Sequence, residues 1–262
     1  MNQTPGELAL PAFLQRKQAM KTKIFAHRGV RKYHAENTMA AFQAAEAMGL
    51  EGIELDVQRT ADGQLVICHD ENLLKLTGRD VWLKDLTYSQ LEELNVADYR
   101  PDSPAQQAPL LSTFLDWFKG TSLVVNLELK NTVIPYPGME EEVIQMVRHY
   151  QVTDRVILSS FSLDSVALAK RLAPEIDVGF LYQKFLPSVV NKAGKLNLDA
   201  IHPLFVNQLW PWLTWQAHHK GLKVRVWTVD HPFFIRNALR REVDTIMTDD
   251  PELVLRLRQE RG

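Results

Sequence analysis

The chain has 262 residues, 45% hydrophobic and 24% charged, with 30 basic and 32 acidic side chains for a formal net charge of −2. That length fits one large α/β domain with a substantial core. The charge balance argues against nucleic acid or an anionic membrane as the main partner.

In chain order, residues 1–22 form an N-terminal extension, read as a short amphipathic helix or partly disordered. Its apolar patch, Leu8 to Leu14, is broken by Pro11 and lacks the basic start and cleavage site of a signal peptide. No apolar run reaches the ~18 residues of a membrane span, so stable membrane insertion is not expected. The single cysteine, Cys68, cannot close a disulfide within the chain, and the cytoplasm is the expected compartment. Cys68 has the opposite strand parity to His69 and is expected to be a buried structural thiol, not a nucleophile.

Strand-like runs follow at 23–27, 52–57, 65–69, 122–129, 155–160, 177–182, 199–203, 223–229 and 244–248. The run at 65–69 is joined to the one before it by the turn signal Ala61-Asp62-Gly63 and reads as its hairpin partner. The other eight alternate with helical patterns, which implies a parallel sheet. Only one glycine, Gly29, follows the first strand, so no glycine-rich phosphate loop supports an open doubly wound sheet. The expected fold is α/β, a closed (β/α)8 TIM barrel forming one domain over 1–262. The polar stretch 71–107 is a small insertion after the second strand, too short and irregular for an independent core.

Chemistry in such a barrel gathers at the C-terminal ends of the strands. Parity puts Glu54 and Asp56 on one face of their strand, with Ile53, Leu55 and Val57 on the other. Likewise Asn126, Glu128 and Lys130 share a face, as do Lys223, Arg225 and Trp227. His27 and Arg28 end the first strand, and His69 ends the hairpin. Parallel barrel strands are ordinarily apolar on both faces, and the simplest geometry turns all these polar faces into one cavity.

Glu54, Asp56 and Glu128 would repel one another there unless a cation neutralises them. Carboxylate oxygens suit Mg2+ or Ca2+, with Mn2+ an option. His27 and His69 would be an acid–base pair near neutral pH, and Arg28 and Lys130 cations for a phosphate. Together these residues describe a phosphodiester site. Two other readings stay open: a glycosidase using Glu54 and Glu128, and a non-catalytic binding barrel.

The ordered pieces FAHRG, AENT, ELDV, the DG turn, HD, ELK, SSF, WTV and TDDP resemble the glycerophosphodiester phosphodiesterase family from about Lys23 to Leu255. The resemblance implies hydrolysis of small glycerophosphodiesters to sn-glycerol 3-phosphate and an alcohol, in lipid and glycerol metabolism. It implies His27 and His69 as catalytic residues, Glu54, Asp56 and Glu128 as metal ligands, and Arg28 and Lys130 on the phosphate. Phe161 and Trp227 would line the substrate pocket. Lysophospholipase D or sphingomyelinase D-like action on lysophospholipids is the alternative activity. The family commonly has Pro before Glu-Asn-Thr; here Ala35 precedes Glu36, and Glu36 is expected to support the ligands, not to join them.

The remaining signals have plainer readings. Trp210, Trp212 and Trp215 are expected to pack as a helix face. His202 faces either the cavity or the core. His149, His218, His219 and His231 are expected in solvent, as is the helix start Glu140-Glu141-Glu142. A homo-oligomer is compatible with the sequence.

Overall fold

The computed structural model describes residues 22–261; the expected N-terminal helix falls almost wholly outside them. The strands are β1 (Lys23–His27), β2 (Gly52–Arg59), β3 (Leu65–Ile67), β4 (Val124–Leu129), β5 (Val156–Ser160), β6 (Asp177–Tyr182), β7 (Ala200–Pro203), β8 (Lys223–Val226) and β9 (Thr245–Thr248). All but β3 run parallel in the order β1-β9-β8-β7-β6-β5-β4-β2, and β2 pairs back onto β1. The architecture is therefore the expected TIM barrel.

The helices are α1 (Met39–Ala47), α2 (Leu74–Thr77), α3 (Tyr88–Glu92), α4 (Leu111–Phe118), α5 (Met139–His149), α6 (Leu163–Leu172), α7 (Val189–Lys195), α8 (Leu213–His219), α9 (Pro232–Arg240) and α10 (Pro251–Gln259). Local chemistry marks several starts. The Thr38 hydroxyl accepts from Ala41 N at the head of α1, and Asp250 caps α10 with Pro251 following it. Between helices and barrel lies one continuous apolar layer that includes Ile53, Leu55, Val57, Val125, Leu127 and Leu129. Alternate residues of β2 and β4 are thereby committed to the outside of the barrel, which sends Glu54, Asp56, Asn126 and Glu128 inward.

The hairpin differs from its expected length. β3 pairs antiparallel with the last three residues of β2, Val57 to Arg59, and ends at Ile67. His69 therefore stands just past the strand. The insertion packs around β3: Val66 and Cys68 bury against Leu73, Leu76, Leu83, Leu91, Leu94 and Val96. Its small apolar cluster is an extension of the hairpin, since 71–107 alone is too short to close a core. Burial explains the inert Cys68, whose thiol is pushed well above its ordinary range.

Candidate functional site

Strand register assembles the centre of the site. His27 lies opposite Glu54 across β1 and β2, and Asp56 lies opposite Glu128 across β2 and β4. Carboxylate oxygens of Glu54, Asp56 and Glu128 come within 4.8 Å of one another. Glu54 and Asp56 are almost fully buried. Burial, then the charges of Asp56 and Glu128, push Glu54 well above the ordinary carboxylate range. Glu128 moves the same way, from burial and from Asp56. Asp56 goes down to about 2: burial opposes this, but Arg28, His69, Lys130 and a hydrogen bond from Asn37 outweigh it. Three hard oxygen donors within reach of one ion, two of them pushed up by burial and by their neighbours' charge, form a set that fits a divalent cation. The residues that could hold one are Glu54, Asp56 and Glu128.

Two cations already touch this set. Lys130 Nζ is 3.4 Å from Glu128 Oε1 and 3.9 Å from Asp56 Oδ1. Arg28 donates from its backbone N–H to Glu54 Oε2 at 3.0 Å, and its guanidinium lies 2.7 Å from Glu36 Oε1 and 3.5 Å from Asp56 Oδ2. Reaching both groups requires a left-handed backbone: Arg28 has φ +56°, a conformation costing a non-glycine residue roughly 1–3 kcal/mol. The next residue, Gly29, has φ +77°, and a Cβ there would stand 2.6 Å from that of Ala41, so glycine alone fits. Asn37 is also left-handed, at φ +56°, and its amide donates to Asp56 Oδ2 at 2.9 Å. Glu36 spends its carboxylate on Arg28 and on Arg31, 2.9 Å away. Its oxygens also come within 4.8 Å of His69 and Asp70 ligand atoms, but this second group is already paired with cations.

Each histidine is held by an aspartate. His27 Nδ1 is 2.7 Å from Asp249 Oδ1, and His69 Nδ1 is 2.6 Å from Asp70 Oδ1. A carboxylate at Nδ1 selects the tautomer with the proton there and leaves Nε2 as the free base. His27 Nε2 lies 3.9 Å from Glu54 Oε2. Burial, then the Arg28 charge, depress His27 below its ordinary pKa, although the hydrogen bond to Asp249 pulls the other way. On the far side of the mouth the Phe161 and Trp227 rings meet edge to face at 5.4 Å, and Trp227 Nε1 donates to His202 O at 2.8 Å.

The sequence named His27, Arg28, Glu54, Asp56, His69, Glu128 and Lys130, and the fold brings them together. It passed over Asp249 and Asp70 as partners of the histidines, although both stood in quoted motifs, TDDP and HD. For Asp249 the missing signal was distance, since it is 222 residues from His27 in sequence and only barrel closure joins β9 to β1; Asp70 directly follows His69, and that adjacency was the signal that could have found it.

Other expectations need correction. Arg225 does not join the site. It is buried inside the barrel on Asp177, and its Nη1 lies 3.1 Å from His202 Nε2. Parity turned its side chain inward, but β8 places it near the opposite end. Of the two readings for His202, the buried one holds: its side chain is fully buried. His218 is not simply solvated, because Asp244 Oδ2 lies 2.9 Å from its Nε2. Glu140 is buried and accepts from Asn131 at 2.7 Å. Of the three tryptophans only Trp210 packs inward; Trp212 and Trp215 are 60% and 55% exposed, since Leu213, Thr214 and Ala217 supply the buried face of α8.

The chain matches the model of the glycerophosphoryl diester phosphodiesterase family over residues 27–253. It is 35% identical over 244 residues to a glycerophosphodiester phosphodiesterase of Caldanaerobacter subterraneus subsp. tengcongensis, covering 93% of this chain and 100% of that one. A crystal structure of a putative glycerophosphoryl diester phosphodiesterase from Silicibacter pomeroyi superposes with a TM-score of 0.83 at 26% identity, over 93% of this chain and 95% of that one. An Oleispira antarctica phosphodiesterase, solved with its product sn-glycerol-3-phosphate, shares the fold with a TM-score of 0.80 at 23% identity, over 90% and 96% of the two chains. The chain therefore belongs to the glycerophosphoryl diester phosphodiesterase family and is an enzyme of that kind.

Proposed function

We propose that the protein hydrolyses glycerophosphodiesters to sn-glycerol 3-phosphate and an alcohol, with Glu54, Asp56 and Glu128 holding a divalent cation and His27 and His69 moving protons. The observation that carries this reading is the surplus of carboxylates at the convergence of β1, β2 and β4, beside two histidines that each present a free Nε2. A product of the same chemistry in the Oleispira antarctica relative supports the substrate class.

A cation held by the three acids would polarise a phosphoryl oxygen and stabilise charge developing on phosphorus. Arg28 and Lys130 would hold the remaining phosphate oxygens. The glycerol 2-hydroxyl attacks phosphorus while one histidine takes its proton at Nε2. The other histidine protonates the leaving alkoxide, which departs as the alcohol. Water then opens the cyclic phosphate with the two proton transfers reversed. Asp249 and Asp70 keep each ring oriented and stabilise its charged form. Phe161 and Trp227 would form the apolar wall beside the substrate. Mg2+ and Ca2+ are the favoured ions for an all-oxygen donor set, and Mn2+ fits the same set.

The test is release of sn-glycerol 3-phosphate from glycerophosphocholine and glycerophosphoethanolamine, with and without EDTA. Activity that EDTA abolishes and a divalent metal restores is the expected outcome, together with a trappable cyclic glycerol phosphate. No release under any of the three metals overturns the reading.

Lysophospholipase D or sphingomyelinase D-like action is a second reading. It is favoured by the exposure of Trp212 and Trp215, and would show as turnover only above the micellar concentration of a lysophospholipid. Residence in the cytoplasm belongs to the same proposal, supported by the lone buried Cys68 and checked by cell fractionation. Among the described residues no helix is long and apolar enough to cross a membrane.

A further inference from the structure

The rim of the mouth across from the carboxylates is apolar. The segments following β6, β7 and β8 expose Phe185, Val206, Leu209, Trp212, Trp215 and Phe233, at 41% to 62% of their surface. These are six of the eleven large apolar side chains exposed among the described residues. Single exposed hydrophobics are ordinary, but a gathering of them marks an interaction surface. Phe185 packs edge-on against Trp210 at 5.1 Å, and a groove of about 400 Å3 runs between Phe185, Val206, Leu209 and Trp210.

Two further observations say what this face meets. The first is charge. Between Gln183 and Val229 the chain has a single carboxylate, Asp199. It stands at the start of β7, at the other end of the barrel, where Lys170 holds it at 2.6 Å. The exposed loops after β6 and β7 thus carry no acid and Lys184 stands beside Phe185, while the loop after β8 holds one exposed carboxylate, Asp230. The second is continuity with the cleft. Phe205 N donates to Trp227 O at 2.8 Å, Leu204 pairs with Trp227, and the Phe205 ring packs on Phe234 at 4.6 Å. The backbone behind the Phe161–Trp227 wall is therefore tied directly to the segment that carries the outer rim. A small polar diester needs none of it. Tryptophan and phenylalanine on segments poor in acids are the chemistry of a lipid–water interface, where the ring sits among acyl chains and the phosphates meet lysine.

We propose that this face docks onto a lipid surface, its aromatics among the acyl chains, so that the mouth opens onto diesters that carry an acyl chain. The inference rests on the placement of the cleft under Proposed function.

The test is sedimentation of the full chain with vesicles of phosphatidylcholine and phosphatidylglycerol, beside hydrolysis of soluble glycerophosphocholine. The wild-type protein is expected to co-sediment. In the double variant Trp212→Ser/Trp215→Ser, and separately in Phe185→Ser, vesicle affinity falls by roughly tenfold or more per aromatic removed. Turnover of soluble glycerophosphocholine stays at the wild-type rate. Absence of vesicle binding by the wild type, or equal binding by the variants, overturns the proposal. So does a dimer in size-exclusion chromatography that the same substitutions dissociate, since a second copy would then own the face. Loss of glycerophosphocholine turnover in the wild type strikes the catalytic reading instead and leaves the vesicle result intact.

Discussion

Two charged clusters occupy opposite ends of the barrel, and they behave in opposite ways. At the base, Asp177 takes a two-pronged bond from Arg225, at 3.0 and 2.6 Å, and a second cation from Lys223. Its carboxyl is held far below the ordinary range: burial resists this, and Arg225 and Lys223 overcome it. At the mouth, burial and like charges push Glu54 and Glu128 up. The base also has a cavity, about 230 Å3 lined by Asp177, Lys223 and Arg225 among others. Buried charge and a cavity therefore do not identify a site. What distinguishes the mouth is unbalanced charge, kept at a cost in folding energy, beside groups able to move protons.

The largest effect that could break this contrast is catalytic. His27→Ala and His69→Ala are each expected to lower kcat roughly 10²–10⁴-fold, with little change in stability. A rate near wild type for either removes it from the chemistry. The matching change at the base, Asp177→Asn, leaves Arg225 buried without its partner. It should cost about 3–5 kcal/mol of stability, read by chemical denaturation, with kcat in the surviving folded fraction unchanged. A fall in kcat there would mean that the two ends are coupled.

The smallest effect is the sharpest on charge balance. In EDTA, Glu54→Gln should be more stable than wild type, because it removes one of three mutually repelling carboxylates. The melting temperature should rise by about 2–4 °C for each kcal/mol of relief. Its sign with pH follows from the raised pKa of Glu54. The folded protein takes up the Glu54 proton at a higher pH than the unfolded chain, so wild type sheds the penalty as pH falls. The advantage of the glutamine thus grows as pH rises from the unfolded value of 4.5 through the raised folded value, and vanishes below 4.5. An advantage that is constant with pH would show that charge is not its source. A divalent cation should reverse the order, stabilising wild type more than Glu54→Gln.

Much of the site was readable before the fold because β-strand parity is a local property. Once Ile53, Leu55 and Val57 are given to the apolar layer, Glu54 and Asp56 have one direction left. The same rule misled at Arg225, since parity tells inside from outside and not which end of the barrel a side chain occupies. It also said nothing of Asp249, whose contact with His27 exists only because β9 closes onto β1.

The sequence by itself determined the alternation of strands and helices, the inward set of acids and the family resemblance. All three are carried by short-range periodicity and by motifs of a few residues. Tertiary structure alone decided which charges cancel and which accumulate, which aspartate orients which histidine, and which of three neighbouring tryptophans face solvent. Those outcomes depend on distances between segments far apart in the chain, and strand register and barrel closure set those distances.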